Sequence, residues 1–308
     1  MENFREFDLI RWIQSQVPAD DPLVRVGIGD DAAVVANRDA ATLVTTDMLV
    51  EGVHFSLAEA TPRQVGWKAM ACSVSDVAAM GGRASAAVVS CALPRGFGQD
   101  NARGLVLGLL ECAREFGVRL VGGDVTATGG PLVLNVAMLG DTEGRPPVLR
   151  SGARADDALL VTGALGGSRL GSHLRFTPRQ AEALALAEGY ALHAMIDVSD
   201  GLAIDLHHIL EESGVGARVE AKRIPISPDA HRAAEQSGRS PLGHALADGE
   251  DYELLFTLDD AEAARLLAAP PFETQVTRIG TITASGAILV HPGGGEQPLE
   301  RRGWEHSL

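Results

Sequence analysis

The architecture of this chain is clearest in Thr61-Pro-Arg-Gln-Val-Gly-Trp-Lys-Ala-Met-Ala-Cys-Ser-Val-Ser-Asp-Val-Ala-Ala-Met80 and in Ala86-Ala-Val-Val-Ser-Cys91, which follows it closely. Thr61 offers a capping hydroxyl, Pro62 suits the first position of a helix, and Gln64 completes a capping box. The pattern therefore predicts a helix through residues 65–80. The second segment is short and rich in valine, which is typical of a buried strand.

Short apolar runs and longer helical patterns alternate over the rest of the chain. Further predicted strands are Val24–Val26, Leu43–Thr45, Leu132–Ala137, Ala158–Val161, Tyr252–Phe256 and Ala287–Val290. Thr177, Pro178 and Gln180 repeat the capping pattern and predict the start of a second helix. Such alternation is typical of an α/β fold with mixed sheets, and it argues against a helical bundle or a β-sandwich.

The length of 308 residues corresponds to about two domains of ordinary size. A polar stretch that contains glycines and prolines, residues 140–157, separates two strand patterns, as linkers between domains often do. Within it we place the boundary between an N-terminal α/β domain, residues 1–148, and a C-terminal α/β domain, residues 149–308.

The charge of the chain argues against two kinds of partner. It has 41 Asp and Glu against 26 Lys and Arg, a formal net charge of -15, and its only lysines are Lys68 and Lys222. Because binding to a phosphate backbone needs a concentrated basic surface, we expect no nucleic-acid partner. The longest apolar runs are too short to cross a bilayer, so we expect no membrane partner either.

Cysteine usage indicates the compartment. Cys72, Cys91 and Cys112 are an odd number without a C-x-x-C pair, which predicts free thiols in a reducing environment. The N-terminal residues mix both charges where a signal peptide needs an apolar core. We therefore expect a cytoplasmic protein.

The positions of the aspartates carry the functional information. Each of the following comes after a short apolar run: Asp30 with Asp31, Asp47, Asp124, and Asp197 with Asp200. In open α/β sheets ligands bind at the carboxyl ends of the strands, so these carboxylates are predicted to converge there. Clustered carboxylates repel one another unless cations bind them, and Mg2+ is the hard cation that usually also contacts phosphates. For any single aspartate the alternative is a helix cap or an Asx turn.

Other features leave two interpretations open. Asp76 lies within the predicted helix, where aspartate has poor propensity, so it is either a functional residue or part of an exposed face. Ser199-Asp-Gly201 precedes an amphipathic pattern, so its backbone N–H groups either bind a phosphate or Ser199 simply caps the helix. The chain has no P-loop, protein-kinase, serine-hydrolase or zincin motif.

Seven segments, taken in order, resemble a known family. They are Gly27–Ala33, Thr45–Phe55, Ser75–Gly81, Gly122–Asp124, Arg150–Ala153, Ile196–Gly201 and Gly249–Leu254. Together they resemble the thiamine-monophosphate kinases, a family of the ATP-binding superfamily that also contains aminoimidazole ribonucleotide synthetase and selenophosphate synthetase. The resemblance implies the two-domain fold of that superfamily, with N-terminal sheets that pair across a homodimer.

The resemblance also assigns roles to individual residues. It implies that magnesium ions bind at Asp31, Thr45, Thr46, Asp47, Asp76, Asp124, Asp197 and Asp200. It implies ATP contacts at Gly123, Asp124, Arg150 and Ser199, and substrate contacts at His54, Glu250 and Trp304. A tryptophan face suits a cationic thiazolium ring through cation–π attraction.

The activity implied by the resemblance is the in-line phosphorylation of thiamine monophosphate by ATP, assisted by several Mg2+ ions, to give thiamine diphosphate and ADP. No general base is expected, because a phosphate acceptor is already anionic. The N-terminal domain would bind ATP and Mg2+, and the C-terminal domain would complete the cleft. The alternatives are another ATP-dependent superfamily member, such as aminoimidazole ribonucleotide synthetase, or a non-catalytic metal-binding module. One departure from the family is the short link between Gly163 and Thr177.

Overall fold

The computed structural model describes Trp12, Ser15–Val17, Val24–Val26, Val34–Val35 and Thr42–Glu305. This part of the chain divides into two compact units. The N-terminal unit contains the described residues up to Val77 together with Gly82–Gly144, and the C-terminal unit contains Ala78–Gly81 together with the described residues from Arg145 onward.

The N-terminal unit is built on a four-stranded sheet. Two short strands, β1 (Val24–Val26) and β2 (Val34–Val35), pair with each other, and the sheet consists of β3 (Leu43–Val50), β4 (Arg83–Pro94), β5 (Arg119–Thr128) and β6 (Val133–Asp141). Its strand order is β3-β6-β4-β5, with a parallel pairing between β4 and β5 and antiparallel pairings elsewhere. Strands β3 and β5 are therefore the two edges of the sheet.

Two helices, α1 (Pro62–Ala79) and α2 (Gln99–Glu115), cross at glycines. A Cβ atom on Gly66 would lie 2.0 Å from the carbonyl oxygen of Leu105, and one on Gly108 would lie 1.9 Å from that of Arg63. The backbones therefore touch, which only glycine allows. Helix α1 also packs on the sheet, where a Cβ on Gly140 would lie 2.5 Å from a methyl group of Val77.

The C-terminal unit is built on a seven-stranded sheet with the order β13-β12-β9-β11-β7-β10-β8. Its strands are β7 (Ala158–Thr162), β8 (Leu192–Asp197), β9 (Gly216–Glu220), β10 (Leu254–Leu258), β11 (Val276–Thr283), β12 (Ala287–Val290) and β13 (Glu296–Pro298). Its helices are α3 (Gln180–Gly189), α4 (Leu202–Ser213), α5 (Pro228–Ser237), α6 (Pro241–Ala247) and α7 (Asp260–Ala268). One buried cluster includes residues of α4 and α6, and a second includes residues of α3 and α7.

This mixed α/β architecture confirms the predicted fold class. The predicted capping box is also present, since the Thr61 N–H donates to Gln64 Oε1 at 3.0 Å and the Gln64 N–H donates to Thr61 Oγ1 at 3.3 Å. All three cysteines are free thiols, as predicted. In the described part of the chain, no helix combines the length and the apolar character that a membrane span requires.

Several local predictions are wrong. Strand β3 continues past its predicted end, and β5 includes the apolar run before Asp124 and continues beyond it, so Asp47 and Asp124 lie within strands and do not follow them. Helix α3 begins at Gln180 after Arg179, and Thr177 does not cap it. Ser199 is not a helix cap either, because α4 begins at Leu202 with Gly201 as its N-cap residue.

Candidate functional site

In the N-terminal unit, three of the predicted metal ligands are close together. Thr45 and Asp47 are two positions apart on β3 and therefore share a face, which packs against α1. Thr45 Oγ1 donates a hydrogen bond to Asp76 Oδ2 at 2.5 Å, and Ser73 Oγ donates one to Asp47 Oδ2 at 2.7 Å. We call Thr45, Asp47, Ser73 and Asp76 the β3 acidic cluster. The Asp76 carboxylate within α1 is thus part of a cluster and does not belong to an exposed face.

Burial determines the electrostatics of this cluster. It raises the pKa of Asp47 above its ordinary value, while hydrogen bonds with Ser73 and Asp76 act in the opposite direction and only partly offset it. A carboxylate in this environment is stabilised in its charged form by a nearby cation. The donor atoms are the carboxylate and hydroxyl oxygens that a hard divalent cation prefers.

Thr46 lies on the opposite face of β3. Asn135 Nδ2 on β6 donates to Thr46 Oγ1 at 2.9 Å and to the Asp47 carbonyl at 3.0 Å, so one amide holds both residues of the Thr-Asp pair. Nothing in the sequence pattern singles out Asn135 for this task. Its role depends on the register between β3 and β6.

Asp124 does not join the β3 acidic cluster within one chain. It lies on β5, at the opposite edge of the sheet from β3, and three strand spacings correspond to roughly 14 Å. Its register partner is Ser90, which pairs in turn with Asn135. Burial, with a smaller contribution from the charge of Asp124, raises the pKa of Cys91 to about 12. This thiol is consequently not a nucleophile at neutral pH.

Two further predicted residues of the N-terminal unit have clear local partners. His54 Nδ1 accepts the backbone N–H of Val50 at 3.0 Å, and Lys68 Nζ, which is fully buried, donates to the His54 carbonyl at 2.6 Å. Gly123 is required by packing, because a Cβ there would lie 2.0 Å from the Val89 carbonyl oxygen on β4. Asp31 lies outside the described residues.

In the C-terminal unit, two of the quoted motifs pair through their backbones. The Glu250 N–H donates to the Ser199 carbonyl at 2.7 Å and the Tyr252 N–H to the Val198 carbonyl at 2.8 Å. The Trp304 N–H donates to the Asp200 carbonyl at 2.8 Å. Ser199, Asp200, Glu250 and Trp304 are therefore brought together from three separate parts of the sequence, while Asp197 ends β8 directly before them.

The loop around Glu250 is held in an unusual conformation. Glu250 and Tyr252 have φ angles of 56° and 52°, in the left-handed region that non-glycine residues rarely adopt. Both carboxylate oxygens of Asp251 accept the Gly166 N–H, at 2.9 and 3.0 Å, and Tyr252 stacks on Phe176 with ring centroids 3.7 Å apart. These contacts stabilise a strained loop, which is a frequent feature of functional sites.

Glu253 fixes the other end of this loop. Arg179 donates to its two carboxylate oxygens, at 2.8 and 2.6 Å, and Thr162 Oγ1 donates to it at 2.6 Å. Glu253 is buried and is fully engaged by these bonds. The second glutamate of the Gly249–Leu254 motif, Glu253, is therefore structural.

Asp205 is a residue next to the candidate site that the sequence analysis did not identify. It is buried on α4, and its Oδ2 accepts the N–H groups of Asp200 and Gly201, both at 3.0 Å. Burial raises its pKa well above the ordinary value, and the charges of Asp197 and Asp200 raise it further. The spacing of Gly201 and Asp205 could have identified it. An aspartate four residues after the glycine at a helix start can accept the N–H groups that are left unpaired there.

Arg150 lies at the start of the C-terminal unit. Its carbonyl accepts a hydrogen bond from Ser213 Oγ at 3.2 Å, which ties the segment to the end of α4. Burial lowers the pKa of His208 on the same helix, and the positive charge of Arg150 lowers it further. Arg150 therefore places a positive charge near His208 on α4.

Comparison with known proteins now decides the family. Residues 29–142 match the family described as AIR synthase related protein, N-terminal domain, and residues 135–291 match its C-terminal domain. The chain is 45% identical to the thiamine-monophosphate kinase of Rhodopirellula baltica over 269 residues. The aligned region covers 85% of this chain and 84% of that protein. The chain belongs to the thiamine-monophosphate kinase family. The relatives favour this family over the aminoimidazole ribonucleotide synthetase that the sequence left as an alternative.

Solved structures of thiamine-monophosphate kinases agree with this assignment. The crystal structure of the thiamine-monophosphate kinase from Stenotrophomonas maltophilia matches with a TM-score of 0.78 at 33% identity, over 94% of this chain and 96% of that one. The structure of AaThiL complexed with AMPPCP and TMP matches with a TM-score of 0.77 at 31% identity, over the full length of both chains.

Proposed function

We propose that this chain transfers the γ-phosphoryl group of ATP to the phosphate of thiamine monophosphate, giving thiamine diphosphate and ADP. The observation that carries the proposal is the 45% identity, over 85% of the chain, with the Rhodopirellula baltica kinase. The likeness to AaThiL complexed with AMPPCP, an ATP analogue, and TMP supports both substrates. The acceptor oxygen is already anionic at neutral pH, so the enzyme needs no general base.

The β3 acidic cluster supports magnesium as the metal. Its hydroxyl and carboxylate oxygens fit a hard divalent cation, and burial raises the pKa of Asp47, so a bound cation would stabilise its charged form. We assign one ion to Thr45, Asp47 and Asp76, and further ions to Asp31, Thr46, Asp124, Asp197 and Asp200. When bound, such ions neutralise the charge that spreads over the transferred phosphoryl group.

The remaining residues bind and orient the two substrates. Arg150, Gly123 and Ser199 are assigned to ATP. His54, Glu250 and Trp304 are assigned to thiamine monophosphate, whose thiazolium ring is a permanent cation. A carboxylate and an indole face attract such a ring. The strained loop at Glu250 holds its carboxylate in place before substrate binds, which lowers the entropy lost on binding.

A homodimer is the second part of the proposal. On the face of the four-stranded sheet opposite α1, Val44, Met48 and Val88 are 71%, 58% and 39% exposed, which is unusual for large apolar side chains grouped on one sheet. We propose that a second copy of this chain covers this face. Thr46 lies on the same face, so dimerisation would also bury part of the assigned metal site. We further propose a cytoplasmic location, consistent with three free thiols.

The direct test is an assay of the purified chain with ATP, MgCl2 and thiamine monophosphate. Thiamine diphosphate is oxidised to its fluorescent thiochrome derivative and separated by chromatography, and ADP is measured in parallel. We expect both products in equal amounts, and we expect no product when EDTA replaces the Mg2+ salt. Formation of ADP without thiamine diphosphate, or of neither, would contradict the proposed function.

A further inference from the structure

The predicted substrate residues Glu250 and Trp304 already have a cation between them. The guanidinium carbon of Arg169 lies 4.8 Å from the centroid of the Trp304 ring, within range of a cation–π interaction. The same guanidinium, through Nε, lies 4.0 Å from Glu250 Oε2. Arg169 belongs to the short link between Gly163 and Thr177, and no sequence motif identified it.

The backbone of Arg169 is held by hydrogen bonds of its neighbours, whereas its side chain is half exposed. Ser168 Oγ donates to the Gly249 carbonyl at 2.6 Å, and the Gly167 N–H donates to Asp248 Oδ2 at 3.0 Å. The turn that carries Arg169 is therefore attached to the loop of Glu250. The Arg169 side chain remains 53% exposed, so it can leave the indole face without disturbing the core.

An aromatic face with a carboxylate beside it is a recognition site for an organic cation. The guanidinium of Arg169 and the thiazolium of thiamine are both flat cations, so they compete for the same two groups. They also repel each other when close. On this basis, and resting on the proposed function, we propose that Arg169 occupies the subsite of the cationic ring until substrate arrives and must be displaced before that ring binds.

The test compares Arg169→Met with the unaltered chain by isothermal titration with thiamine, which has the cationic ring and no phosphate, and with thiamine monophosphate. Methionine keeps the unbranched apolar stem of the side chain and removes the guanidinium with its charge. Because exposed cation–π contacts and surface ion pairs are each weak, we expect the variant to bind thiamine about three- to tenfold more tightly. The KM for thiamine monophosphate should fall by a similar factor.

A matched control is available in the same unit. Arg265 also lies over an aromatic ring, 4.0 Å from the centroid of Tyr190, also pairs with a glutamate, Glu262, and is 52% exposed. Arg265→Met should leave both affinities unchanged. In a Trp304→Leu background, Arg169→Met should no longer raise the affinity for thiamine, because the indole face for which the two cations compete is absent.

The outcomes separate this inference from the proposed function. If the unaltered chain converts thiamine monophosphate but Arg169→Met binds thiamine no more tightly, the inference alone is overturned. It is also overturned if the variant loses affinity for thiamine monophosphate and not for thiamine, because Arg169 would then be a phosphate ligand. If the unaltered chain binds neither compound and makes no product, the proposed function fails and the inference fails with it.

Discussion

Asp47 is the carboxylate on which the proposed metal chemistry depends most directly. Replacing it with asparagine keeps the shape and the acceptor for Ser73 but removes the negative charge. We expect Asp47→Asn to lower kcat at least about 100-fold, because a lost metal ligand removes charge stabilisation in the transition state. The melting temperature without metal should not fall, since burial disfavours the charge that is removed.

The measurement is a steady-state assay over a range of Mg2+ concentrations, with thermal melts in EDTA. Asp100→Asn serves as the control, because Asp100 is an exposed carboxylate in the first turn of α2, and no residue assigned to metal or substrate lies on that helix. Full activity of Asp47→Asn at ordinary Mg2+ concentration would remove Asp47 from the metal site.

Asp251 gives a pH dependence with a defined sign. Burial raises its pKa well above the ordinary value of 3.8, and the charge of Glu253 raises it further, against the hydrogen bond from Gly166. The folded chain therefore holds this proton more tightly than the unfolded chain. Stability is lost as the pH rises from the ordinary pKa through the raised one, by about 1.4 kcal/mol per pH unit of separation.

Asp251→Asn should not show this loss, because asparagine accepts the Gly166 N–H without carrying a charge. We expect the variant to become more stable than the unaltered chain as the pH rises through the window, and to match it most closely at acid pH. Urea unfolding of both chains over a series of pH values measures the difference. A difference that stays constant with pH would show that the pKa of Asp251 is the same in the folded and the unfolded chain.

Replacing a glycine in a helix by alanine normally stabilises the helix, but we expect the opposite where α1 and α2 cross. Gly108 touches the backbone of Arg63, whereas the nearest atom to a Cβ on Gly104 of the same helix is Pro62 Cβ at 3.7 Å, an ordinary contact. We expect Gly108→Ala to destabilise by about 3 kcal/mol or more through overpacking against backbone. Gly104→Ala should instead stabilise by up to about 1 kcal/mol. Thermal or urea unfolding of the two variants provides the comparison, and equal effects would contradict the backbone contact.

Local signals predicted some elements and not others, for physical reasons. The capping box at Thr61 is real because Gln64 is free to reach back to the helix start. The same letters at Thr177 fail because Gln180 is buried and α3 begins there, so packing overrides the local preference. The predicted end of β3 was too early. Thr46 and Asp47 continue the alternation of side chains between the two faces of the sheet, but the residues from Leu43 to Thr46 are all apolar or hydroxyl-bearing and do not show that alternation in the sequence.

Long-range geometry was the least predictable from the sequence. The glycine and aspartate motifs identified Asp47 and Asp124, but strand order, which no local pattern encodes, puts them at opposite edges of one sheet. In the C-terminal unit, by contrast, the motifs at Ser199 and Glu250 were predicted to belong to one site and are joined by backbone hydrogen bonds. Arg169 could not be identified from the sequence, because its proposed role depends only on the contacts of its side chain with Trp304 and Glu250.

The exposed sheet face allows a test of assembly. If a second copy covers Val44, Met48 and Val88, a charge at its centre must be buried without a partner, which is costly. We expect Met48→Glu to shift the mass measured by light scattering or sedimentation from that of a dimer to that of a monomer. Leu267→Glu is the matched control, because Leu267 is 39% exposed on α7 of the other unit. It should leave the dimer intact, and a Met48→Glu chain that stays dimeric at micromolar concentration would rule out this face as the interface.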